Sequence, residues 1–114
     1  MTLTTFLTNI KENPKSIAFA DTIAVIEGNY VFTPTAFKNG NQQNAAGENS
    51  GSCKIFAFAK AQQLSPEQTL NCFGTYYTED VLKNPEGTDH QNIRNFMVSG
   101  WNGIAFEGDA LQLK

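Results

Sequence analysis

The chain has 114 residues, 40% of them hydrophobic and 17% charged, with a formal net charge of -3. That length makes one domain able to hide roughly two-thirds of its unfolded surface without staples, and the composition suits a globular protein, not a disordered one. The acidic balance argues against a nucleic-acid binder, the absence of an apolar run of about 18 residues argues against a membrane span, and no secretory signal opens the chain.

Leu3, Phe6, Leu7 and Ile10 recur at helical spacing, so 3–12 reads as a short amphipathic helix that Asn13-Pro14 ends. Phe19, Ile23 and Ile26 predict a second helix that closes near Gly28-Asn29. Residues 30–33, Tyr-Val-Phe-Thr, have strand composition, and Pro34 limits them to an edge. Residues 38–52 read as loop: three Gly, four Asn and two Ala, with no aliphatic side chain beyond those Ala. A loop of that length in a compact domain is functional or packed on itself, and its Gly and Asn suit defined turns.

Residues 53–64 are apolar almost all round and predict the central buried helix. Ser65-Pro66-Glu67-Gln68 has the Ser cap, the first-position Pro and the Gln of a capping box. Leu70, Phe73 and Tyr77 share a face behind it, and a short helical turn at 79–83 ends at Asn84-Pro85. Thr88-Asp89-His90-Gln91 reads as a second capping box, with Ile93, Phe96 and Met97 as its buried stripe and Gly100 as its stop. Ile104-Ala105-Phe106 alternates like a short strand able to pair with 30–33. The expected fold is α+β and mostly helical: four to five short helices around a core rich in the nine Phe, with one minimal antiparallel strand pair.

Several stretches resemble the HopJ type III effector family. They are Thr33-Pro34-Thr35-Ala36-Phe37 with Asn39-Gly40, Asn44-Ala45-Ala46-Gly47-Glu48-Asn49, Gly51-Ser52-Cys53-Lys54, Phe56-Ala57-Phe58-Ala59, Cys72-Phe73-Gly74, 87–94 and Gly100-Trp101. Together they span most of the chain from Phe19 to Phe106. The resemblance implies a protein of the kind a plant pathogen delivers into host cells by type III secretion. Similar sequences in free-living bacteria imply a housekeeping alternative. It carries over no catalytic residue, and no cofactor is expected.

Cys53 and His90 are the candidate catalytic residues. A thiol at a helix start gains thiolate character from the dipole, and a lone histidine at another helix start suits a neutral base. A papain fold is excluded: Lys54 stands where that signature has an aromatic, and His90 follows Cys53 by 37 residues instead of roughly 130–150. The competing reading of Cys53, a small buried residue packing the Phe-rich helix, outweighs the catalytic one because free Cys is among the most buried residue types. His90 reads more readily as a hydrogen-bonding residue at a loop–helix junction. With no His/Cys/carboxylate set at ligand spacing, no metal site is expected. The glycines at 40, 47 and 51 lack the Gly-Lys-Ser/Thr finish of a phosphate loop.

The binding candidates are Asn39, Asn44, Glu48, Asn49, Ser52, Asp89, His90 and Trp101. An ordered polar loop beside an aromatic core is a recognition surface. Equally, those Asn and Gly can serve only to build turns, with Glu48 and Asn49 capping the next helix. Two functional readings follow: a small binding domain with an unknown protein or small-molecule partner, and a thiol-dependent hydrolase or transferase using Cys53 and His90. A third is a homodimer formed through Tyr76, Tyr77 and Trp101. Two cysteines and no signal make reduced thiols in a cytoplasm the default, or in a host cell if the effector name applies to the chain, while the count alone leaves a Cys53–Cys72 disulfide open.

Overall fold

A computed structural model describes residues 1–114. Helix α1 (Leu3–Glu12) is capped by Thr2, whose Oγ1 accepts the Thr5 N–H at 3.1 Å, and it buries Phe6 and Ile10. A 3₁₀ turn, Pro14–Ser16, leads to α2 (Phe19–Asn29). Of the residues expected inside α2, Ile26 is buried, while Phe19 and Ile23 are half-buried; Thr22 and Val25 complete the inner face.

Strand β1 (Tyr30–Phe32) follows directly. Its partner is not 104–106. It pairs antiparallel with β5 (Leu111–Leu113) at the end of the chain. The polar segment holds a second sheet: β2 (Phe37–Asn39) and β3 (Gln42–Asn44) form a hairpin, and β4 (Ile104–Phe106) adds to the other edge of β2. The loop expected over 38–52 is thus partly a hairpin. Gly40, at φ +61°, supplies the turn. The β3 residues Gln42-Gln43-Asn44 carry almost no strand propensity, so the ladder is held by backbone bonds and by what those side chains reach.

Helix α3 (Ser50–Ala61) begins three residues earlier than its apolar pattern, because the start is made of small polar residues. It is the centre of the core. Ile55, Phe56, Phe58 and Ala59 are all fully buried. Phe56 meets Phe37, Phe73 and Phe96 at 6.0, 5.5 and 4.9 Å between ring centroids. Phe58, on the other flank, meets Phe6 and Tyr30 at 5.7 and 6.0 Å. Two phenylalanines of one helix therefore tie together α1, β1, β2 and the helices that follow.

The Ser65 box forms as expected: Ser65 Oγ accepts the Gln68 N–H at 3.1 Å and Gln68 Oε1 accepts the Ser65 N–H at 2.9 Å, opening α4 (Pro66–Asn71). The next turn, Tyr76–Val81, is a π-helix. The Thr88 box does not form. Helix α5 (Gln91–Ser99) starts after His90, which caps it in the left-handed region at φ 50° and gives no side-chain bond to the helix. Its inner face is Asn92, Ile93 and Phe96; Met97 is 44% exposed and is not part of the stripe. Gly100 ends the helix as expected, and a 3₁₀ turn over Gly100–Gly103 carries Trp101.

Gly74 holds φ +62°, and a Cβ there would lie 2.7 Å from the backbone nitrogen of Phe19. Backbone meets backbone, so no side-chain adjustment relieves the clash. The Gly74→Ala variant is expected to lose about 2 kcal/mol or more in urea unfolding. A change within about 0.5 kcal/mol would mean that this approach is loose.

Candidate functional site

The first turns of α3 and α5 converge. Between them lies a cleft of about 390 Å³ lined by Phe19, Gln42, Asn49, Gly51, Ser52, Phe73, Tyr76, His90, Gln91, Asn92 and Ile93. A buried amide network brings the two turns together. Asn92 Nδ2 donates to Asn44 Oδ1 at 3.0 Å, and Asn39 Nδ2 donates to Asn92 O and Oδ1 at 2.8 and 2.9 Å. Asn49 Nδ2 reaches Asn44 Oδ1 at 2.7 Å, which joins the start of α3 to the same cluster. Asn95 Nδ2 adds a bond to Asn39 O at 3.2 Å. Asn39 Oδ1 is the one buried side-chain polar atom with no partner.

One wall of the cleft is aromatic. Tyr76 lies 5.0 Å from Phe19 at an edge-on angle of 67°, and 5.2 Å from the His90 ring at 34°. Phe19 is itself fixed: a Cβ on Gly51 would come 3.0 Å from its ring, and Gly74 closes on its backbone. The π-helical turn has a direct consequence here. It places Tyr76 against the face of the His90 ring and puts Asp80 Oδ2 at 3.1 Å from His90 Nε2. Three backbone features that L-residues seldom adopt border this one cleft: His90 and Asn49 at positive φ, and the π-turn.

A profile of the HopJ type III effector protein family matches residues 3–111. The chain belongs to that family. It superposes with TM-score 0.98 on a crystal structure of the protein of unknown function VPA0580, at 60% identity, over 100% of this chain and 95% of that one. No curated protein matches it.

The candidates named from the sequence separate into groups in this HopJ chain. Asn49, Ser52 and His90 line the cleft. Asn39 and Asn44 are buried in the network behind it and do not face it. Glu48 is exposed, and its Oε1 accepts the Ala45 N–H at 2.9 Å, closing the turn before α3. Asp89 pairs with Arg94, Nη2 to Oδ1 at 2.7 Å, and that hydrogen bond holds its carboxyl below the usual range. Arg94 also donates to Asn84 O and Asp89 O, so the pair staples the loop before α5. Trp101 Nε1 donates to Leu64 O at 3.0 Å, and its ring packs edge-on against Phe96. Trp101 is thus half-buried and Tyr77 is only 5% exposed, which leaves Tyr76 as the exposed member of the trio proposed for dimerisation.

Cys53 is not at the helix start. It lies one turn inside α3, is 1% exposed, and its Sγ donates to Thr35 O at 3.5 Å. It makes no bond to His90 and does not line the cleft. Burial, the largest effect, raises its pKa above the ordinary 9.0, against the smaller lowering effects of the Thr35 backbone contact and the Lys54 charge. Cys72, also free and buried, is pushed up to about 12.

Phe19, Gly51, Asn92 and the π-turn were missed as site features. The Phe19 and Gly51 signal was present as a large residue and a small one that must meet, but their separation in sequence hides it.

Cys53 is expected to resist alkylation at neutral pH and to react at one rate in the parent and in His90→Ala, with labelling on urea addition only. Rapid labelling that depends on His90 would contradict this geometry. Both thiols have folded pKa values above the unfolded ones, so the unfolded chain loses their protons first as pH rises. Stability should fall from about pH 9 upward, with Tyr77, raised by burial and Glu67, adding in the same direction. Urea melts at about pH 8 and about pH 10.5 check this, and Cys72→Ala should flatten the slope.

Proposed function

We propose that this HopJ protein is a non-catalytic binding domain whose ligand occupies the cleft between the first turns of α3 and α5. The observation that carries the proposal is the chemistry of the lining: an aromatic wall of Phe19, Phe73 and Tyr76 facing Asn49, Ser52 and Gln91. Its volume of about 390 Å³ falls within the range of small-molecule sites, roughly 300–1,000 Å³. The first amides of a helix have no acceptor inside the helix, so both first turns offer backbone donors there. A groove of similar size, about 420 Å³, runs along β2, β3 and β4, but none of the strained or π-helical backbone borders it.

The thiol reading has less support. Its nucleophile is buried, is bonded to Thr35 and has a raised pKa, and Ser52 is the neighbour that reaches the cleft instead. Ser52 and His90 share the cleft without a hydrogen bond between them. Two free, buried cysteines favour action in a reducing compartment. That compartment is the cytoplasm of the producing cell or, for a delivered effector, of its host. No helix is long and apolar enough to cross a membrane.

The test is a fragment screen by amide chemical shift on the full chain. Shifts are expected to concentrate at Gly51, Ser52, Tyr76 and Gln91. Tyr76→Ala should weaken the hits about tenfold or more while the spectrum stays dispersed. Hits collected instead on the exposed Leu82, Met97 and Val98 would place the binding surface elsewhere and sink the proposal.

A further inference from the structure

We infer that the ligand class of this cleft is a neutral saccharide, an inference that rests on the binding reading above. No Lys, Arg, Asp or Glu lines the cleft. A charged ligand would lose hydration there and find none of these ionised side chains to pair with. An anion faces a further obstacle: the His90 ring is backed by the carboxylate of Asp80, Oδ2 at 3.1 Å from Nε2. The ligand that fits is uncharged.

The polar groups at the cleft both donate and accept. Asn49 uses its amide nitrogen on Asn44, and Gln91 uses its own on Thr88 O, which leaves Asn49 Oδ1 and Gln91 Oε1 as acceptors. The Ser52 and Tyr76 hydroxyls have no partner in the protein and can act either way. The starts of α3 and α5 contribute N–H donors. Vicinal hydroxyls of a sugar, each a donor and an acceptor, match this mixture. A nucleotide's phosphates would meet no Lys or Arg in the lining.

The aromatic side supplies the other half of sugar recognition, a flat apolar surface for the C–H face of the ring. Tyr76 is 42% exposed, yet its ring is held by Phe19 at 5.0 Å and His90 at 5.2 Å. A ring already fixed in place loses little rotamer freedom when a ligand stacks on it.

The experiment titrates the isotope-labelled full chain with glucose, galactose, mannose, N-acetylglucosamine and the β-1,4 disaccharides of glucose and N-acetylglucosamine. Inorganic phosphate, citrate and nicotinamide serve as parallel probes. At least one saccharide should give saturable shifts at Gly51, Ser52 and Gln91, with saturation transfer between the Tyr76 ring and sugar C–H protons. Tyr76→Ala should weaken that binding about tenfold or more, Tyr76→Phe should retain most of it, and Val98→Ala should leave it unchanged. If no saccharide saturates these amides, the inference is overturned. Should phosphate, citrate or nicotinamide then move the same amides, the cleft stands as a binding site with a different ligand class. If no probe moves them, the binding reading falls as well.

Discussion

Asn92 ties the two halves of the site together. It is 5% exposed and sits in the first turn of α5, yet its side chain bonds to the hairpin, not to its own helix. Through Asn44 it reaches Asn49, the residue before α3. A buried amide without partners costs about 1–3 kcal/mol, so each of these side chains is stabilising only while the others are present. That mutual dependence fixes the distance between two helix starts, Ser50 and Gln91, that lie far apart in the chain. It also explains why a hairpin with weak strand propensity forms at all. Asn39 and Asn44 point inward because the network needs them there.

The aromatic core supplies the platform on which this network is set. Phe56 and Phe58 distribute the burial of α3 between the two sides of the molecule, and Phe37, stacked on Phe106 at 5.5 Å, carries that packing into the three-stranded sheet. At the cleft the core reaches the surface through Phe19 and Tyr76. Gly51 and Gly74 both face Phe19: a methyl group at Gly74 would meet its backbone at 2.7 Å, and one at Gly51 would crowd the tip of its ring at 3.0 Å. Packing, backbone strain and polar contacts therefore meet at one place, where a rigid scaffold is expected to present a site.

Most of the helical content was legible in the sequence. Periodicity located α1, α2 and α5, the Ser65 box marked α4 with its cap, and the apolar surface of 53–64 identified the central helix. Strand partners were not legible. Alternation at 104–106 marks a strand but carries no information on which edge it joins, and β2–β3 is written in Gln and Asn, where propensity is silent. The left-handed caps at Asn49 and His90 moved the expected helix start at α3 and replaced a side-chain box at α5. Of the site, Asn49, Ser52 and His90 were visible as polar residues next to helix starts. Asn39, Asn44 and Trp101 looked the same in sequence but turned inward, because only the tertiary fold decides which amide meets another amide.

The buried amide network holds the first turns of α3 and α5 together. A double-mutant cycle on Asn44→Ala and Asn92→Ala, measured by urea unfolding of the single and double variants, tests it most directly. The double variant is expected to lose less than the sum of the singles, with a coupling of about 1 kcal/mol or more, because either change alone already strands the other side chain. Additivity within about 0.3 kcal/mol would show that the two amides act independently, and the cleft would then need another origin.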